Sequence, residues 1–161
     1  MAETRIATVI DHVLNLARTD PTLAGNKELT ILDGMPTTNL AGALVLAIGW
    51  AGEAEEDTTA ATSGQVWKYV GKIVSPTREE ELLIPGWLSV WRGGDDMKAR
   101  RDEATAILHT FGAALRASLA GWSASGQVTY LELADLRLRQ AQTPDGAYAA
   151  YEFTIRAKAL I

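Results

Sequence analysis

Apolar residues recur at three- and four-residue spacing near the start of the chain. Ile6, Val9, Ile10, Val13, Leu14 and Ala17 form one stripe, which predicts an amphipathic helix over residues 3–18. Asp20-Pro21 ends it, because a residue before proline is pushed out of helical geometry, and residues 22–27 read as a loop. Glu28–Leu32 is a short strand. Asp33-Gly34-Met35-Pro36 closes it, with glycine for positive φ and proline as a breaker. Ala43–Trp50 is a near-continuous apolar run of strand length, which suits a strand covered on both faces. A loop follows from Ala51 to about Ser63.

Val66–Val74 reads as a strand, and so does Glu81–Trp91, where Pro85-Gly86 marks an edge, a bulge or a break. Arg92-Gly93-Gly94-Asp95 is a turn, and Asp95 or Asp96 caps the helix after it. That helix is predicted over Met97–Leu119. Its buried stripe is Ala104, Ile107, Leu108, Phe111, Leu115 and Leu119, and Gly121–Gly126 breaks it. In Val128–Arg139 the apolar phase slips between Leu131/Leu133 and Leu136/Leu138, which predicts a bulge near Ala134–Asp135. Pro144-Asp145-Gly146 turns the chain into Tyr148–Ile161. There Tyr151, Phe153, Ile155, Ala157 and Ala159 face one way and Glu152, Thr154, Arg156 and Lys158 the other. Successive strands are joined mostly by turns, so the fold class is α+β. The expectation is a mainly antiparallel mixed sheet, an N-terminal helix and a second long helix on one face, and a C-terminal hairpin.

The length of 161 residues predicts a single domain over 1–161 that needs no disulfide or metal to fold. With 0 cysteines there is no thiolate chemistry, and His12 and His109 are the only imidazoles. Both read as structural or surface histidines. No apolar run reaches the ~18 residues that span a bilayer, and the N-terminal residues lack the pattern of a secretory signal. Nucleotide-binding glycine loops, GxSxG, HExxH and calcium-loop motifs are missing from the sequence. Glu79-Glu80-Glu81 reads as a solvated strand entry, since alternate side chains of an extended segment point apart. The expectation is a non-enzymatic protein without a cofactor or a catalytic or metal site.

The net charge of −5 is unevenly placed. Residues 1–62 hold nine acids against three bases, and residues 63–161 hold eleven against twelve. Much of the excess lies in Glu53, Glu55, Glu56 and Asp57. The nearest basic cluster, Lys98, Arg100 and Arg101, is flanked by Asp95, Asp96, Asp102 and Glu103, which disfavours a phosphate-gripping role. Trp50, Trp67, Trp87, Trp91 and Trp122 suit a core or an oligomer contact.

In order and spacing these features resemble the tail terminator (tail completion, or tail-to-head joining) proteins of long-tailed bacteriophages. The shared signatures begin with a helix, a strand and the Asp33–Pro36 turn. They continue with an apolar strand ending in Ile48-Gly49-Trp50 and an acidic loop. The Glu79–Glu81 strand entry, the Gly94-Asp95 turn and Arg101 early in the long helix follow. A terminal hairpin running from Gly146-Ala147 through Tyr151 and Phe153 completes the set. Met35, where proline is common, and Pro85-Gly86, where a regular strand is expected, depart from the pattern.

The resemblance implies a virion protein that assembles with itself, as a hexameric ring, on the head-proximal end of the tail. The ring would end polymerisation of the tail tube protein and offer a surface to the head–tail connector. Phage DNA would pass its lumen without specific binding. No membrane is implied, and assembly would take place in the host cytoplasm. The candidate interface residues are Glu53, Glu55, Glu56 and Asp57, facing the lumen or docking to tube or connector, and Lys98, Arg100 and Arg101, meeting a neighbour's acids. The alternatives are another neck or tube-like assembly protein, or a small α+β ligand-binding or enzymatic domain.

Overall fold

The structure, a computed structural model, describes residues 4–35, 44–50, 61–70, 73–124 and 128–161. Its elements are α1 (Ile6–Thr19), α2 (Pro21–Gly25), β1 (Leu29–Asp33), β2 (Leu44–Ile48), β3 (Thr62–Val70), β4 (Ile73–Arg92), α3 (Met97–Ala124), β5 (Val128–Thr143) and β6 (Gly146–Leu160). The strands make one six-stranded sheet in the order β1-β2-β4-β6-β5, with β3 also paired to β4. Among the described residues only the β1–β2 pair is parallel. The helices pack on one face: Val9 and Val13 of α1 and Phe111 and Leu115 of α3 share a core with Leu46, Leu82, Ile84, Leu88, Phe153 and Ile155. The α+β expectation holds in its parts.

β4 organises the sheet. Along one side it pairs with β6 from Glu79↔Leu160 to Arg92↔Ala147. Along the other it pairs first with β3 and then with β2. All five residues of β2 are buried, as its unbroken apolar run predicted. In β5 the register shifts between Ala134 and Arg137, and Asp135 takes φ 53, so the slip in apolar phase does mark a bulge.

Pro85-Gly86 does not break β4. A strand residue's N–H and C=O point the same way, and Pro85 O accepts from Gly49 N at 2.7 Å, so the proline nitrogen faces the β2/β3 side. There β2 ends opposite Gly86 and β3 begins opposite Leu83. The missing N–H falls between the two neighbours, where no ladder bond is lost. Gly86 lies under the Phe153 ring; a Cβ there would sit 2.1 Å from a ring carbon.

Four sequence readings are corrected. Residues 22–27 are not all loop: Asp20 accepts from Thr22 N at 3.0 Å and Leu23 N at 3.1 Å and so caps α2, with Pro21 in the first turn. The proline that stops one helix starts the next. Val66–Val74 is not one strand but the end of β3 and the start of β4, which pair antiparallel with Val70 opposite Ile73 within a continuously strand-like composition. α3 runs on to Ala124, past Gly121. A glycine costs an exposed helix only about 1 kcal/mol, and Trp122 is held by stacking on His12 at 3.8 Å. Glu80 is fully buried, although Glu81 beside it is exposed, so Glu79–Glu81 is only partly solvated. Asp96, rather than Asp95, supplies the side-chain cap of α3, accepting from Ala99 N at 2.9 Å.

Candidate interaction surfaces

The acidic run Glu53, Glu55, Glu56 and Asp57 lies outside the described residues, as does Pro36 of the first turn. The basic trio lies on the first turns of α3, and the fold engages each member within the chain. Lys98 pairs with Asp102 one turn on, and that hydrogen bond holds the Asp102 carboxyl below its usual range. Arg100, only 16% exposed, lies 3.5 Å from Glu103. Arg101 Nη1 donates to Gln140 Oε1 on β5 at 3.1 Å.

These pairs belong to a larger corner. Arg92, at the end of β4, donates through Nε and Nη2 to Glu103 at 3.0 and 2.6 Å and also pairs with Glu28. The bond to Glu103 raises the Arg92 pKa. A planar guanidinium suits this two-point contact, which ties α3 to β4 and to the entry of β1.

Twelve residues before Arg92 on β4, the Glu80 carboxylate accepts from three donors. They are Thr4 Oγ1, the Arg5 main-chain N–H at 2.7 Å and Ser63 Oγ. Arg5 precedes α1 and makes no side-chain cap. Glu80 therefore places a carboxylate from the sheet at the start of α1, where the helix dipole favours it. His12 occupies the α1–α3 seam, its Nε2 3.1 Å from Ser118 Oγ and its ring stacked on Trp122; burial lowers its pKa. His109 is exposed on α3.

The face of the sheet away from the helices divides in two. One part is aromatic: Trp50, Trp87, Tyr148 and Trp91 follow one another at ring separations of 5.9, 6.4 and 5.4 Å over Val45, Ala47 and Ala150. Trp91 Nε1 donates to Thr143 Oγ1 at 3.1 Å. The other part is charged. Arg137 and Arg139 of β5 meet Glu152 of β6, and Arg156 lies near Glu81 and Asp135. Sequence reasoning listed the tryptophans without placing them on one strip and passed over the arginines. The signal was available: Arg137 and Arg139 share strand parity, and the hairpin register sets Arg137 opposite Glu152. The Trp67 side chain lies outside the described residues. Among the described residues no group of three or more His, Cys, Asp or Glu converges as a metal site.

No protein-family model matches this chain, and no curated protein does. Among solved structures, the chain is similar to a chain of the "Virion of native gene transfer agent (GTA) particle". The sequence identity is 15% and the TM-score 0.39, over 97% of this chain and 98% of that one.

Proposed function

We infer that this chain is a structural protein of a tailed-phage-type virion, and within that class a tail terminator. In this reading copies form a ring, with six subunits, on the head-proximal end of the tail tube. The ring blocks further addition of tube subunits and presents its far side to the head connector, with DNA passing through its lumen. It has no catalytic role and needs no cofactor, and the working unit is the ring rather than the single chain.

The observation that carries the reading is where the family-like signatures fall on the fold. Asp33-Gly34 ends β1 with Gly34 at φ 82. Gly49-Trp50 follows β2 with Gly49 at φ 88. Gly94-Asp95 leads into α3, and Gly146-Ala147 opens β6. Each of these four signatures sits where the backbone leaves or enters an element, and all four glycines take positive φ there, Gly94 at φ 94 and Gly146 at φ 120. An acidic surplus also suits a lumen that must not hold phosphate.

The test is to add the purified chain to tail tubes assembled from the tube protein encoded beside it and to image them by negative-stain electron microscopy. A ring of density at one tube end, with elongation stopped, is expected. Tubes that grow undisturbed would overturn the reading. Long tubes made by this chain alone would move it to the tube-like alternative.

A further inference from the structure

The charged part of the open sheet face carries an uneven account of charge. Arg139 Nη2 lies 2.9 Å from one oxygen of Glu152, and Arg137 Nη1 lies 3.6 Å from the other. Two guanidinium groups share one carboxylate here, whereas farther along the same face two carboxylates, Glu81 and Asp135, flank the single guanidinium of Arg156, so the positive end of the charged strip lies at Arg137 and Arg139. The arginines are the outer members of that cluster: the Glu152 side chain is 19% exposed, against 49% for Arg139 and 71% for Arg137. Directly beside it Trp87, Ala141 and Tyr148 line a cleft together with Arg139 and Gln140. The result is an apolar floor with a cationic rim.

Such a surface fits a segment carrying carboxylates among small apolar side chains. Residues 51–62 of this same chain, AGEAEEDTTAAT, have that composition, with four acids within five positions. The basic residues of α3 are poorer receptors, because Lys98, Arg100 and Arg101 already hold Asp102, Glu103 and Gln140. We propose that the Arg137–Arg139 pair and its adjoining Trp87–Tyr148 cleft receive the acidic run Glu53–Asp57 of a second copy of this chain. The inference rests on the ring reading and supplies its contact. Two different patches meeting head to tail repeat from copy to copy, which is the arrangement a closed ring requires.

The test compares oligomeric mass by light scattering at rising protein concentration and low salt. Three proteins are used: the unaltered chain, Arg137→Glu/Arg139→Glu, and Glu53→Lys/Glu55→Lys/Glu56→Lys/Asp57→Lys. The unaltered chain is expected to reach the ring mass, and each variant alone to stay at the mass of one chain while keeping its circular-dichroism spectrum. An equimolar mixture of the two variants should recover the ring mass, because in an alternating ring every contact again pairs opposite charges. Loss through misfolding would not be rescued this way. Rings formed by either variant alone overturn this contact and leave the ring reading standing. Unchanged mass with a lowered melting temperature overturns it in favour of an acidic run lying on its own chain. An unaltered chain that stays monomeric throughout overturns the contact between copies; tube capping tests the ring reading separately.

Discussion

Replacing Glu80 with alanine removes an acceptor shared by the Thr4 hydroxyl, the Arg5 main-chain N–H and the Ser63 hydroxyl. Hydrogen bonds to a charged acceptor contribute about 1.5–3 kcal/mol each, and a buried donor left alone costs about 1–3 kcal/mol. Thr4 and Ser63 are exposed, so water recovers part of both losses. Removing a carboxylate from a fully buried position also relieves its desolvation. The net expectation is a destabilisation of roughly 2–3 kcal/mol, below the about 4.5 kcal/mol that three charged bonds give at their low end, because of these two offsets. For a chain of this size 1 kcal/mol moves the melting temperature by about 2–4 °C, so Glu80→Ala should lower it by roughly 4–12 °C. Glu80→Gln keeps the shape but turns an amide toward one of the donors, and should fall between the two. Calorimetry gives the melting temperature. Hydrogen exchange at the start of α1 shows whether the loss is local, with faster exchange expected there and in the first residues of β3. A melting temperature within 1 °C of the unaltered protein, with unchanged exchange in α1, would refute the assignment of Glu80 as the anchor of that helix.

Gly86→Ala should destabilise by about 1–3 kcal/mol, because its Cβ would overlap the Phe153 ring at 2.1 Å; denaturant melts should show Gly86→Ala/Phe153→Leu recovering part of the loss. Arg92→Lys should cost about 1–2 kcal/mol in the same measurement, since a single ammonium cannot reproduce the two-point contact with Glu103 while also holding Glu28. His12 gives a pH dependence. Its pKa is lowered in the folded protein, so the unfolded chain binds the proton more readily. Its contribution to stability is complete above the unfolded value of about 6.5 and declines as pH falls from there through the folded value. Melts between pH 5 and pH 8 should show that decline flattened in His12→Phe; an unchanged slope would remove His12 from the account.

Much of the fold was legible because its periods are clean. The stripe in α1, the stripe in α3 and the strict alternation in β6 each report a single buried face, and each was found where expected. The bulge in β5 was legible for the same reason, since a phase slip in the apolar residues has few other causes. The misreadings have a common origin in tertiary contacts. Gly121 looks like a helix end until Trp122 is seen against His12. Pro85-Gly86 looks like a strand break until the gap between β2 and β3, and the Phe153 ring, are seen to accept it.

Charges show the same division. Composition and local spacing by themselves determined an α+β chain with one apolar stripe per helix, an acidic first third and a basic cluster at the start of α3. Those properties depend on neighbours within a turn or a strand, which the linear order specifies. Which charges are engaged was decided only by the tertiary structure. It buried Glu80 among donors 75 or more positions away and 17 positions away, engaged Lys98, Arg100 and Arg101 within the chain, and left Arg137 and Arg139 sharing one carboxylate. A charge's partner is set by distance in space, and the pairing of β4 with β3 and β6 creates those distances only once the sheet has formed.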